Sequence, residues 1–294
     1  MSPRATNVAA RTDTGLVRER NEDRWLTRDY AGVTLIAVAD GVGGEAGGDV
    51  ASTAAIEALA GSFAPPSFRD SARTALAGAV QQANVAVLAA SKDERLEHAA
   101  TTLVAAAIRG REVAVANLGD SRAYLIRGEV IRQVTTDHSG ESASSITRFL
   151  GDPRGVQPDI FVETLEPADR LVLCSDGLTR HVTDAEIATA NAAAGDPDRA
   201  ADALVALARS RGGEDNITVI VYVARQPAVS RAVAGTLILA LLILVAIAGA
   251  LGVLLTTPVP EPAASASPSP TASDRPSPSP SASPDVTPAP SPSP

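Results

Sequence analysis

The chain has one cysteine, Cys174, and one lysine, Lys92, in 294 residues. A single thiol excludes an internal disulfide and any zinc site built from several cysteines. It fits a reducing compartment. Aromatic residues make up only 3%, so a core must be assembled from Val, Leu, Ile and Ala. The 45% hydrophobic content supplies the volume for one. Positive charge is also short: the formal net charge is −9. Nucleic acid is therefore not an expected partner, because basic patches supply the affinity for it. The first fifteen residues, MSPRATNVAARTDTG, lack the apolar stretch a secretory signal needs. No G-x-x-x-x-G-K-[ST] occurs, which excludes a P-loop.

What is present falls into three zones. Residues 1–226 mix charged and apolar residues as globular domains do. From Ala232 to Leu255 the chain runs 24 residues without a charge. At about 1.5 Å per residue such a helix is roughly 36 Å long, enough for a hydrocarbon core of about 30 Å. A transmembrane helix is expected over 232–257, after a short juxtamembrane linker at 227–231. The tail, 258–294, is rich in Pro and Ser. With almost nothing to bury it is expected to be a disordered, partly extended spacer. Arg225 and Arg231 precede the apolar run, whereas the first basic residue after it is Arg275. The positive-inside rule then orients the first zone to the cytoplasm and the tail outside, in a single-pass protein of the cell membrane.

In the first zone, short apolar runs have strand character: 33–39, 101–108, 112–118, 122–126, 170–175 and 216–224. Helical patterns lie between them at 50–59, 68–90, 184–194 and 197–211. Antiparallel strands with separate helix pairs imply a layered α+β domain, sheets packed together and helices outside. Aspartates recur at the strand ends. VTLIAVA runs into Asp40-Gly41 and RLVLCS into Asp176-Gly177. Asp120 lies between two strands, Asp215 just before another, and Asn21-Glu22-Asp23 precedes the short run RWLT. Taken singly, an Asp-Gly pair reads as a turn. Five together read differently, because both Asp-Gly pairs lead into helical segments and not into a return strand. Oxygen-rich clusters suit hard cations such as Mg²⁺ and Mn²⁺. Residues 41–46, GVGGEA, also fit the loose G-x-G-x-x-G/A pattern. A dinucleotide fold would require a second parallel strand after the next helix, and another helical segment follows instead.

GLVRERNED, ADGVGGEAGGDVAS, ATTL, NLGDSRAYL, ITRFLG, LVLCSDGLT and GGEDNITVIVY occur in that order. In this the chain resembles the metal-dependent protein phosphatases of type 2C, most of all their bacterial membrane-anchored branch. The resemblance spans nearly all of residues 5–224. It implies a central antiparallel β-sandwich flanked by helix pairs (αββα), and hydrolysis of phosphoserine and phosphothreonine in opposition to Ser/Thr kinases. It further implies that Asp40 bridges two Mn²⁺ or Mg²⁺ ions and that the Gly41 carbonyl binds one of them. Asp23, Asp176 and Asp215 would complete a shell, with Glu22 acting through water. Asp120 with Asp176 would hold a third, weaker ion. Arg18 would bind the substrate phosphate, and Asn216 belongs to the Asp-Asn pair opening the last strand. Attack would come from a hydroxide bridging the two ions.

Some positions depart from the family pattern. Val42 stands where eukaryotic members carry a histidine, so no general acid is assigned; His138 and His181 read as surface or turn residues. Glu45, Ala100 and Arg180 replace a His, a Gly and an Asp. The segment between Ser139 and Ile146, a longer flap in relatives, is short. These departures motivate an alternative, a non-catalytic module that binds phosphoproteins at the membrane. Cys174 reads as a small core residue.

Overall fold

The computed structural model describes residues 7–43, 47–64, 72–92, 99–140, 146–224, and 243–244 with 247–248. It divides into two units, Met1–Ala228 and Val229–Pro294. In the second, Ile243, Leu244, Ile247 and Ala248 are helical. The remainder of the expected membrane segment, its linker and the Pro/Ser-rich tail lie outside the described residues. Among the described residues no helix is long and apolar enough to cross a membrane.

The first unit is built on two five-stranded antiparallel sheets. One has β1 (Val8–Asp13), β12 (Ile217–Val223), β11 (Arg170–Cys174), β8 (Arg122–Arg127) and β9 (Val130–Gln133), in that order across the sheet. The other has β10 (Asp159–Thr164), β7 (Glu112–Leu118), β6 (Leu103–Arg109), β3 (Val33–Ala39) and β2 (Arg24–Tyr30). A two-residue strand, β4 (Gly41–Val42), pairs with β5 (Ala100–Thr101). All these pairings are antiparallel, which removes the dinucleotide-fold alternative.

Strand periodicity explains the layers, since successive side chains point to opposite faces. In β3, Ile36 and Val38 pack with Leu171, Leu173 and Ile220 of the other sheet, forming the inter-sheet core. Leu35, Ala37 and Ala39 face the other way, onto α1 (Gly47–Ser62) and α2 (Ala72–Ala90). On the opposite side, Val172, Cys174, Val219 and Val221 pack with α3 (Asp176–Thr179), α4 (Asp184–Ala193) and α5 (Pro197–Ser210). Central strands buried on both faces read as continuous apolar runs, and alanine and valine supply most of the filling. Where the polar termini of α4 and α5 begin, Thr183 and Glu186 form a capping box and Asp196 accepts from the Arg199 N–H.

The sequence-based helices fall at α1, α2, α4 and α5, although residues 68–71 lie outside the described set. The run 101–108 is two strands, not one, broken at Thr102. The strands without a sequence signal are β1, β9 and β10, sheet edges with half-exposed patterns, and the two-residue β4.

Leu173 is fully buried between the sheets. Leu173→Ala is expected to destabilise the unit by about 2–5 kcal/mol, read as a lower urea midpoint at unchanged m-value.

Candidate active site

The registers of the antiparallel pairs place the carboxylates. The last pair of β2 with β3 is Arg24↔Ala39, so one step beyond it Asp23 and Asp40 stand side by side. In the other sheet, β11 ends at Cys174, which pairs with Val219 near the start of β12. This puts Asp176 beside Asp215, and a glycine contact there is decisive. A Cβ on Gly177 would lie 2.0 Å from the Asn216 carbonyl oxygen. A Cβ on Gly41 would likewise lie 2.3 Å from the Gly48 carbonyl oxygen and 2.8 Å from that of Glu22. Neither glycine has positive φ, so both Asp-Gly pairs are needed for close backbone approach and not for a turn. Asp120 sits in the crossover from β7 to β8, between the two sheets.

Asp40, Asp23 and the 14–22 loop are pinned by Thr101, Thr102, Ser175 and Asn216, of which the sequence pattern points to Asn216 alone. The Asp40 carbonyl accepts from the Thr102 N–H and the Thr101 hydroxyl, both at 2.9 Å. The Asp40 N–H donates to Thr102 Oγ1 at 3.1 Å, and Thr102 Oγ1 shares a 2.7 Å hydrogen bond with Ser121 Oγ. Ser175 Oγ donates to Asp23 Oδ2 at 2.7 Å and accepts from the Thr218 N–H at 3.0 Å. Asn216 ties the 14–22 loop to β12. Its Oδ1 accepts from the Glu22 N–H at 2.7 Å, and its Nδ2 donates to the carbonyls of Thr14 and Arg20, each at 2.9 Å. The signal for Thr101, Thr102 and Ser175 was in the sequence, as hydroxyls next to the aspartates' strands, but their partners are remote along the chain.

The electrostatics follow from putting like charges in one place. Burial, reinforced by Asp176 and Asp215, pushes Asp23 up to about 7, against the lowering effect of its Ser175 hydrogen bond. Burial and the charges of Asp23, Asp176, Asp215 and Asp120 hold Asp40 well above the usual carboxylate range. Burial and Asp176 push Asp120 up to about 6, and burial raises Glu22 against the opposing charge of Arg18. Two arginines enter this field. Arg18 Nη2 donates to Asp215 Oδ2 at 2.8 Å, and Arg180 Nε donates to Asp176 Oδ2 at 2.8 Å. Beside Arg180 opens a cavity of about 410 Å³ whose lining also includes Asp120 and Asp176.

The donor set fits a hard divalent cation. All the donors are oxygen, and Oδ1 of Asp23, Asp120 and Asp176 are buried without hydrogen-bond partners. Such atoms are costly unless a cation or proton meets them. Among the described residues, no group of three or more His, Cys, Asp or Glu side chains is drawn together as a finished metal cage. Asp176 and Asp215 are engaged by arginines instead.

Neither histidine considered from sequence belongs to the carboxylate cluster. His138 is not a surface residue: it is buried. Its Nδ1 accepts from the Gly119 N–H at 3.1 Å, and its Nε2 lies 2.9 Å from Asp159 Oδ2. It anchors the loop carrying Asp120 to the base of the short segment closed by the Ser139↔Ile146 bridge. His181 accepts from the Glu214 N–H at 3.4 Å, in a turn. Cys174 is fully buried, and burial pushes its thiol up to about 12, which leaves it a core residue and not a nucleophile.

The family model described as Protein phosphatase 2C matches residues 17–208. The chain belongs to the protein phosphatase 2C family. It is 36% identical over 233 residues to the serine/threonine phosphatase stp of Listeria innocua, covering 71% of this chain and 92% of that protein. It is 37% identical over 255 residues to the serine/threonine protein phosphatase PstP of Mycobacterium tuberculosis, covering 77% of this chain but 48% of that longer protein. Solved structures agree. The S. agalactiae serine/threonine phosphatase superposes with a TM-score of 0.69 at 31% identity, covering 74% of this chain and 98% of that one. The catalytic domain of PstP in complex with two manganese ions superposes with a TM-score of 0.64 at 36% identity, covering 74% and 97%. This protein phosphatase 2C member is thus a metal-dependent protein serine/threonine phosphatase acting on phosphoproteins, with Mn²⁺ or Mg²⁺ as its cofactor.

The raised carboxylates make a pH-dependent prediction for the metal-free protein. Groups whose folded pKa lies above the unfolded value stabilise at low pH, and that stability is lost as pH rises through the folded pKa. With Asp120 at about 6 and Asp23 at about 7, the melting temperature in EDTA should fall between pH 5.5 and pH 8, by roughly 5 °C or more. Added Mn²⁺ should raise it more at pH 8 than at pH 5.5, and Asp23→Asn should flatten the fall. Differential scanning fluorimetry across that range checks all three.

Proposed function

We propose that this phosphatase is tethered to the membrane and hydrolyses phosphoserine and phosphothreonine with two divalent ions, opposing Ser/Thr kinases that share its substrates. The observation that carries the reading is the carboxylate cluster: Asp23, Asp40, Asp120, Asp176 and Asp215 gathered at one end of the sandwich, with Arg18 half exposed at its edge. The non-catalytic alternative is disfavoured, because every one of these carboxylates is retained.

Asp40 would be shared between the two ions and the Gly41 carbonyl would bind one. Asp23, Asp176 and Asp215 would complete the set, Glu22 would act through water, and Asp120 with Asp176 would offer a weaker third position. When bound, the ions supply Lewis acidity, lowering the pKa of water and offsetting phosphate charge. The chain's own residues orient the reaction. Arg18 presents a planar fork suited to two phosphate oxygens, and it reaches the cluster from the exposed 14–20 loop. Thr101 and Thr102 fix the Asp40 backbone. Ser175 holds the buried Asp23 carboxylate through one oxygen and leaves the other without a partner. In-line displacement at phosphorus needs no nucleophile from the protein and forms no phospho-enzyme.

The domain arrangement belongs to the same reading: a phosphatase domain at 1–226, a linker at 227–231, a membrane helix at 232–257 and an extracytoplasmic tail at 258–294. The uncharged run and its flanking Arg225 and Arg231 support it. The short linker would keep the domain within reach of substrates at the membrane surface.

Residues 1–226 are expected to hydrolyse p-nitrophenyl phosphate and phosphothreonine peptides only with Mn²⁺ or Mg²⁺. Asp40→Ala should lower kcat/KM by roughly a thousandfold. Arg18→Ala should raise KM for the phosphopeptide by about tenfold. Full activity in Asp40→Ala, or turnover in EDTA, would reject the mechanism. For the membrane, the full chain should fractionate with membranes and resist carbonate extraction, while 1–226 stays in the supernatant. A full chain released by carbonate would reject the tether.

A further inference from the structure

Arg180 closes the single turn of α3, and its guanidinium reaches back over that turn to Asp176. Nε donates to Asp176 Oδ2 at 2.8 Å, Nη2 contacts the same oxygen, and Nη1 lies 3.9 Å from Asp215 Oδ2. Its charge is also felt by Asp40 and Asp120. One fixed cation therefore sits among four of the five clustered carboxylates. It differs from Arg122, which lines the same cavity but is committed to Asp137 by hydrogen bonds of 2.7 and 2.9 Å. The cluster also wants more positive charge than the protein provides. Asp120, at the cavity wall, is 8% exposed and keeps Oδ1 without a partner, and Asp23, 2% exposed, does the same.

We propose that Arg180 is a built-in competitor for the divalent ions: its guanidinium holds the Asp176 Oδ2 that an ion would use and places its charge 3.9 Å from Asp215 Oδ2, and so weakens the most loosely held ion. Arg180 acts here on the two-ion site proposed above, on which this inference rests. A guanidinium stays protonated across the working pH range, so the competition is permanent and is overcome only by the free ion concentration. A lysine would compete less well, since its ammonium is a flexible point charge, whereas the arginine sets two N–H donors, Nε and Nη2, on Asp176 Oδ2. The consequence is an enzyme whose full loading tracks the divalent-ion supply, not one that is saturated at trace levels.

The test uses the full chain in a neutral detergent and Mn²⁺ alone as probe, with no substrate, by isothermal titration. Arg180→Ala and Arg180→Gln should tighten the weakest Mn²⁺ binding step by about tenfold or more, and the gain should persist from pH 6.5 to pH 8.5. Arg180→Lys should fall between wild type and these variants. Arg180 is 44% exposed at its side chain, so the variants should keep the wild-type circular dichroism; the glutamine variant stands in if the alanine variant does not fold. Wild type that binds Mn²⁺ with variants that bind it no more tightly would overturn this inference alone. Wild type and variants that all fail to bind Mn²⁺ would overturn the metal reading and this inference with it.

Discussion

Mutual repulsion among buried and half-buried carboxylates is the constraint around which this protein is arranged. Five aspartates meet at one end of a β-sandwich, and burial together with their neighbours' charges lifts Asp23, Asp40 and Asp120 out of the ordinary carboxylate range. Without counter-charge such an arrangement works against folding. The fold holds Asp23 and Asp40 there regardless, through Thr101, Thr102 and Ser175, none of which carries charge. Neutral hydrogen-bond donors can position a carboxylate without cancelling the field that a cation then exploits.

The cluster is a product of both sheets. Asp23 and Asp40 flank the ends of β2 and β3 in one sheet; Asp176 opens α3 just after β11, and Asp215 precedes β12, in the other; Asp120 lies in the crossover between them. The inter-sheet core of Ile36, Val38, Leu171, Leu173 and Ile220 therefore sets the spacing of the site as well as the stability of the domain. The Ser175–Asp23 hydrogen bond, 152 residues apart in sequence, is a direct tie across the sandwich. Gly41, in β4, and Gly177, in α3, make close approach possible at the backbone level. A packed interior transmits displacement because it is close to crystal density, so small core changes are coupled to the chemistry.

Two arginines then divide the labour. Arg18, on an exposed loop, lies at the edge where a phosphate would arrive; Arg180, on the short helix after the second Asp-Gly, lies within the carboxylate field. Arg18 is bonded to Asp215 and Arg180 lies 3.9 Å from it, so in the proposed mechanism the phosphate and ion sites would share a residue. His138, meanwhile, is removed from proton chemistry at the cluster and committed to anchoring the Asp120 loop.

The apolar runs that became the central strands, and the aspartates at their ends, were legible from the chain because local pattern decides them. A strand buried on both faces must be a continuous apolar run, and a carboxylate at its end is visible without any tertiary knowledge. The edge strands β1, β9 and β10 were not legible, since a half-exposed strand mixes polar and apolar residues and leaves no run to read. Nor were the hydroxyls of Thr101, Thr102 and Ser175, whose partners lie 19 to 152 residues away. By itself, then, the sequence determined which residues are candidates for the chemistry, because those depend on side-chain type and local position. Only the tertiary structure decided what they face: that Gly41 and Gly177 serve packing and not turns, that His138 is buried, and that Arg180 stands among the carboxylates. Those depend on which strand ends meet, and register and sheet packing settle that through contacts no local pattern contains.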